Sequence, residues 1–202
     1  MKLNSFGIKA VLFDYDGTLT KPGAIDFTKI REMLGCPIGT PILEYIDTIV
    51  SPGEKRRMTA ILKDMEMEAA SVSEPNTDAE QIVAYLKDQG LAVGIISRNS
   101  LASIERSLRN FEKIGPADFD LIVSRDLPLK PKPHPDGIVY AAEKLCIPVE
   151  RILVVGDFIF DIHAGNAAGA KTVFISNGVE TQISGIDPNA IITRLRDLKA
   201  FL

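Results

Sequence analysis

The feature that most constrains this chain is the stretch from Ala10 to Thr20, in which an apolar run ends at two aspartates. Residues 11–13 are bulky and apolar with no polar residue between them, which predicts a strand covered on both faces, as in a parallel sheet. Asp14 and Asp16 follow, and a glycine then lets the chain turn. Open α/β sheets bind ligands at the carboxyl ends of their strands, so we expect both carboxylates at a ligand-binding edge.

Beyond residue 76, short apolar runs alternate with amphipathic helical segments. Four further buried strands are predicted, at residues 91–96, 121–123, 152–155 and 172–175. A last strand is expected at 190–192, followed by a closing helix over 195–202. This alternation predicts an α/β fold, a doubly wound parallel sheet of the Rossmann-like type with helices on both faces.

Between residues 21 and 75 the apolar positions follow a helical period instead. Three helices are expected there, and the residues predicted to cap their starts are Asp26, Thr40 and Ser51. We therefore expect two units. Residues 1–20 and 76–202 form the α/β core, and residues 21–75 form a small helical domain inserted after the first strand.

The composition limits the classes of molecule that this protein is expected to bind. The net charge of −4 and the pI near 5.3 disfavour nucleic acid and anionic membrane surfaces, because both need a basic face. An anionic small molecule is still compatible with the negative net charge, since a bound cation can dominate the charge of a site locally. The first residues lack the apolar core of a signal peptide, and no apolar run approaches the ~20 residues that span a bilayer. We expect a cytoplasmic monomer or homodimer.

The two cysteines, Cys36 and Cys146, lie far apart in the sequence. They form no Cys-x-x-Cys motif and have no histidine pair nearby, so neither a disulfide framework nor a zinc site is indicated. We expect both to be small buried apolar residues.

Polar residues stand at or near four predicted strand ends. They are Asp14 with Asp16, Ser97, Lys132 in a proline-rich loop, and Asp157 with Asp161. A phosphoryl group needs a nucleophile, cations for its oxygens, hydrogen-bond donors and a proton donor for the leaving oxygen, and this set supplies a candidate for each. Carboxylate oxygens are also the ligands that Mg²⁺ prefers.

Four motifs resemble those of the haloacid dehalogenase-like superfamily, and they occur in that family's order. They are Asp14-Tyr15-Asp16-Gly17-Thr18, Ser97, Lys132-Pro133-His134-Pro135-Asp136 and Gly156-Asp157-Phe158-Ile159-Phe160-Asp161. Lys130-Pro131 offers an alternative register for the third motif. The resemblance spans everything except the helical insertion, which resembles the family's C1 cap domain.

The resemblance implies catalytic and metal-binding roles. Asp14 would be the nucleophile that accepts the phosphoryl group, and Asp16 would protonate the leaving alcohol and then activate water. Mg²⁺ would be held by Asp14, the backbone carbonyl of Asp16 and Asp157, with Asp161 either binding the ion directly or supporting its ligands. Lys132 would offset the repulsion among these carboxylates.

The resemblance also implies that Ser97 and Lys132 hold phosphate oxygens. Thr18, Arg98 and Asn99 are further candidates for binding substrate. The reading of residues 98–100 is open, because Asn99 or Ser100 could equally cap the following helix.

The function expected from the resemblance is an Mg²⁺-dependent phosphatase that hydrolyses a small-molecule phosphomonoester through an aspartyl-phosphate at Asp14, with phosphoglycolate as one example. One alternative is a sugar phosphomutase of the same family, whose motifs would look the same. Another is a non-enzymatic phosphate-binding regulator. Dehalogenation is disfavoured, since dehalogenating relatives lack the second aspartate that Asp16 supplies.

Overall fold

A computed structural model describes residues 7–179, 185 and 187–202 of the chain. The predictions for residues 1–6, which concern a signal peptide and the start of the core, lie outside the described residues. Six parallel strands form one sheet: β1 Ala10–Phe13, β2 Ala92–Ile96, β3 Leu121–Val123, β4 Ile152–Gly156, β5 Lys171–Ile175 and β6 Ala190–Ile192. Their order is β3-β2-β1-β4-β5-β6. The predicted doubly wound α/β fold is confirmed.

Strand β1 lies in the middle of this sheet, between β2 and β4. All its residues are buried, as its apolar run predicts. Leu12 lies opposite Gly94 and Val154 in the two neighbouring strands, and a Cβ at Gly94 would come within 2.8 Å of the Leu12 side chain. The strand order reverses beside β1, so the carboxyl ends of β1, β2 and β4 surround the position where such sheets bind ligands.

Seven α-helices occur in the described residues: α1 Phe27–Leu34, α2 Ile42–Asp47, α3 Pro52–Val72, α4 Ala79–Asp88, α5 Leu101–Leu108, α6 Asp136–Leu145 and α7 Ile159–Ala168. Helices α4 and α5 pack on one face of the sheet, and α6 and α7 pack on the other. The predicted closing helix is a shorter 3₁₀ helix, Leu195–Ala200. Among the described helices, none combines the length and the apolar character needed to cross a membrane.

Helices α1 to α3 share an apolar cluster separate from those of the sheet. The predicted caps of α1 and α3 are confirmed, because Asp26 accepts a hydrogen bond from a backbone N–H at 2.9 Å and Ser51 accepts one at 3.4 Å. The predicted cap Thr40 is wrong. Pro41 adopts the extended backbone of a cap residue, with φ −64° and ψ 136°, so α2 begins one residue later than expected.

The two cysteines differ in environment. Cys36 is buried in the cluster of α1 to α3, as expected. The expectation of a buried Cys146 is wrong, because this side chain is exposed. Cys146 ends α6 in a left-handed backbone conformation with φ 55°, at the point where the chain leaves the helix.

Candidate active site

The turn after β1 packs directly against the fourth motif. Gly17 has φ 77°, and a Cβ there would lie 2.1 Å from Oδ2 of Asp157, so only glycine fits this approach. The fully buried Thr18 donates a hydrogen bond from its hydroxyl to Oδ1 of Asp157 at 3.4 Å. The first and fourth motifs are therefore locked together, although 139 positions separate Thr18 from Asp157.

Three carboxylates converge at the end of the sheet. Each of Asp14, Asp157 and Asp161 offers an oxygen, and these oxygens all lie within 4.8 Å of one another. Burial and the neighbouring charges of Asp14 and Asp161 raise the pKa of Asp157. Burial likewise raises the pKa of Asp161. A divalent cation bound among these oxygens would offset the free-energy cost of ionising Asp157 and Asp161. Hard oxygen ligands of this kind fit Mg²⁺.

Lys132 supplies a buried cation to the same cluster. Its Nζ donates to Oδ1 of Asp14 and Oδ1 of Asp161 at 2.6 Å each, and to the carbonyl of Ile96 at 2.7 Å. Burial favours the neutral amine, but the two carboxylates outweigh it and raise the pKa of Lys132. The alternative Lys130 is exposed. The charged side chain in the site is therefore that of Lys132.

Asp16 faces the loop that follows β2. Asn99 donates from Nδ2 to Oδ2 of Asp16 at 2.5 Å. Burial, followed by the charge of Asp14, raises the pKa of Asp16 to about 7. A carboxyl with this pKa exchanges protons readily near neutrality, as a general acid and base must.

The rest of this loop resolves the open reading of residues 98–100. Ser97 is buried, and its Oγ accepts a hydrogen bond from the backbone N–H of Asn99 at 3.1 Å. Ser100 caps α5 by accepting from the backbone N–H of Ser103 at 3.3 Å. Asn99 is therefore free of the cap and faces the site.

Arg98 joins the helical insertion to the core. Its guanidinium donates to both carboxylate oxygens of Glu44 in α2, at 2.9 and 2.6 Å. It also donates to the carbonyl of Lys132 and lies 5.1 Å from the centre of the Phe160 ring. Arg98 of the second motif therefore links Glu44 of the insertion to the loops of the third and fourth motifs.

A second link between insertion and core is more deeply buried. Glu66 of α3 is 4% exposed and pairs with the guanidinium of Arg125. Arg125 also donates to the carbonyl of Arg98, at 3.4 Å, and its backbone N–H donates to the carbonyl of Asn99 at 3.0 Å. Both residues were missed from the sequence, because neither belongs to a motif and 59 positions separate them.

Two asparagines, also missed, hold the turn after β1. Asn177 donates from Nδ2 to the carbonyl of Gly17 at 2.7 Å, and Asn76 donates to the carbonyl of Thr18 at 2.9 Å. The Nδ2 of Asn76 also donates to Oδ1 of Asn177 at 2.9 Å. The sequence did contain a signal for Asn177. This residue and the following glycine come just after β5, at the same edge of the sheet as the other site residues.

Comparison with known proteins identifies the family of this chain. A family profile described as haloacid dehalogenase-like hydrolase matches residues 21–175. An uncharacterised hydrolase of Saccharomyces cerevisiae is 34% identical over 85% of this chain and 79% of its own. A phosphoglycolate phosphatase of Thiobacillus denitrificans is 28% identical, over 98% of this chain and 96% of its own.

A solved structure shares the fold. It is a haloacid dehalogenase-like hydrolase from Bacteroides fragilis, with a TM-score of 0.79 and 24% identity, and the match covers 95% of this chain and 99% of that one. The four motifs, the sheet and these matches lead to one conclusion: this chain is a hydrolase and belongs to the haloacid dehalogenase-like hydrolase family.

Proposed function

We propose that this hydrolase is an Mg²⁺-dependent phosphatase that acts on a small phosphomonoester through an aspartyl-phosphate at Asp14. One observation carries the proposal. Asp14 pairs with the ammonium of Lys132 and lies among two further carboxylates, and Asp16, with a pKa of about 7, stands two residues away. The likeness to a phosphoglycolate phosphatase supports the same reaction class.

The reaction would proceed in two displacements. In the first, a carboxylate oxygen of Asp14 attacks phosphorus, the bond to the leaving oxygen breaks, and Asp16 gives that oxygen its proton. In the second, Asp16 takes a proton from water, which attacks phosphorus and releases inorganic phosphate and Asp14. The raised pKa of Asp16 suits both transfers near neutral pH.

The phosphate would be held by donors from two loops. We propose that the Ser97 hydroxyl, the Asn99 amide and the Lys132 ammonium bind its oxygens. Lys132 contacts Asp14, Asn99 contacts Asp16, and Ser97 is joined to Asn99 by a hydrogen bond from the Asn99 backbone. Thr18, expected from the sequence to bind substrate, is proposed instead to orient Asp157, which its hydroxyl contacts.

The cation site follows from the carboxylate cluster. We propose that Mg²⁺ is held by Asp14, Asp157 and the backbone carbonyl of Asp16, with Asp161 beside them. When bound, the ion would neutralise charge on the phosphoryl oxygens. Lys132 would keep Asp161 and one oxygen of Asp14 paired throughout.

We further propose that residues 21–75 are a cap over the site and that residues 1–20 and 76–202 form the core domain. The insertion has its own apolar cluster, and its two connections to the core run side by side through a bridge between Thr20 and Pro75. A cap in this place would exclude water from the reaction and contact the leaving group.

The test is phosphate release from a panel of phosphomonoesters, with and without Mg²⁺, by the natural protein and its Asp14→Asn variant. We expect Mg²⁺-dependent release that the variant loses. Asp88→Asn, an exposed substitution at the end of α4, is the matched control and should keep full activity.

Three other outcomes would contradict the proposal. Full activity of Asp14→Asn would exclude the covalent mechanism. Isomerised sugar phosphate without free phosphate would identify a phosphomutase, and a stable phosphorylated protein without turnover would identify a regulator.

A further inference from the structure

Arg98, a cation beside the site, is already paired with a carboxylate of the insertion. Arg98 stands between Ser97 and Asn99, where a guanidinium could bind a second anionic group of a substrate. Its donors instead reach both oxygens of Glu44 at 2.9 and 2.6 Å and the carbonyl of Lys132. The Arg98 side chain is 21% exposed. Such two-point pairing of a guanidinium with a carboxylate is strong and fixes both groups in place.

Glu44 is the more exposed partner of this pair. Its side chain is 40% exposed, against 21% for Arg98, and both of its carboxylate oxygens are engaged by the guanidinium. To bind Arg98, a substrate carboxylate or second phosphate would have to displace Glu44 and then lie beside its negative charge. Repulsive elements of this kind commonly set specificity.

An apolar surface lies next to the pair. Phe158 is 55% exposed although it directly follows Asp157. It packs edge-to-face on Phe160, with ring centres 4.9 Å apart. The guanidinium of Arg98 lies over the Phe160 ring. An exposed aromatic residue and a neutralised cation therefore lie together beside the fourth motif.

We propose that Glu44 is a specificity-determining residue that excludes substrates with a second negative charge, and that the preferred substrate is the phosphomonoester of an uncharged alcohol. This inference rests on the proposed phosphatase function. Phosphoglycolate carries a carboxylate and is therefore a disfavoured substrate of this chain.

The test compares two substrates of matched size, phosphoglycolate and 2-hydroxyethyl phosphate, with the natural protein and Glu44→Gln. The natural protein should have the higher kcat/KM for 2-hydroxyethyl phosphate. Glu44→Gln keeps the shape of the side chain but frees the charge of Arg98. It should raise the relative kcat/KM for phosphoglycolate about tenfold, mainly by lowering KM, the size expected for one charge contact.

Two further variants separate specificity from general damage. Glu54→Gln removes a cap carboxylate that pairs with Arg57 away from the site, and it should leave the substrate ratio unchanged. Glu44→Gln combined with Arg98→Gln should lose the gain, because the cation that accepts the carboxylate is then absent. Thermal unfolding of each variant verifies that it is folded.

Failure of this inference is distinguishable from failure of the proposed function. Phosphate release with an unchanged ratio in folded Glu44→Gln, or a natural preference for phosphoglycolate, would overturn the role of Glu44 alone. If neither compound is hydrolysed, calorimetry measures the dissociation constants of the two compounds for Asp14→Asn and for Asp14→Asn combined with Glu44→Gln. The ratio of the two dissociation constants then replaces the ratio of kcat/KM. An unchanged binding ratio there refutes the inference without any turnover.

Discussion

Replacing Lys132 by methionine should destabilise the protein strongly. The substitution keeps an unbranched side chain of similar length but removes the ammonium that donates to Asp14, Asp161 and the carbonyl of Ile96. Lys132 and Asp161 are 5% and 2% exposed, so water cannot replace the lost contacts. Removing one partner of a buried ion pair typically costs about 3–5 kcal/mol, because the other charge is left uncompensated.

The assay is thermal unfolding in EDTA, so that a bound metal does not mask the effect. For a chain of this length, a loss of about 3–5 kcal/mol corresponds to a fall in Tm of about 6–20 °C. The matched control is Lys87→Met, whose exposed pair with Asp118 should be worth less than about 1 kcal/mol.

The pH dependence gives a second readout of the same variant. Burial already raises the pKa of Asp161, and the charge of Lys132 opposes that shift. Without Lys132, the folded state should hold a proton on Asp161 at pH values where the unfolded chain has released it. The stability lost should therefore be smaller at pH 5 than at pH 8. A loss no larger than that of Lys87→Met, or a loss independent of pH, would refute the buried ion-pair network.

Three further predictions concern the same site. The carboxyl of Asp16, with its pKa raised from 3.8 to about 7, keeps its proton in the folded state when the unfolded chain has lost it. Stability of the metal-free protein should thus fall by about 2–3 kcal/mol from pH 5 to pH 7, measured by unfolding in EDTA; a rise over this range would contradict it. Asn177→Asp tolerates the positive φ but loses the donor to the carbonyl of Gly17, so kcat should fall at least about tenfold while Asp88→Asn stays at the natural rate. Gly17→Ala places a Cβ 2.1 Å from the Asp157 carboxylate at φ 77°, and thermal unfolding should show a loss of about 1–3 kcal/mol. Natural stability of Gly17→Ala would mean that the turn and Asp157 are not in contact.

Much of the fold could be predicted because its signals are local. The apolar run of β1, the caps Asp26 and Ser51 and the alternation of strands and helices each depend on residues a few positions apart. The errors were also local in origin. The proline after Thr40 took the cap position, and Cys146 lies exposed at the left-handed end of α6.

The sequence by itself determined which residue types stand at the strand ends, through motifs whose spacing is short. Only the tertiary structure decided which of these side chains meet. It selected Lys132 over Lys130, and it paired Arg98 with Glu44, 54 positions away, and Asn177 with Gly17, 160 positions away. The physical reason is that such contacts depend on the strand order, which brings the carboxyl ends of separate strands to one edge, and on how the insertion packs against that edge.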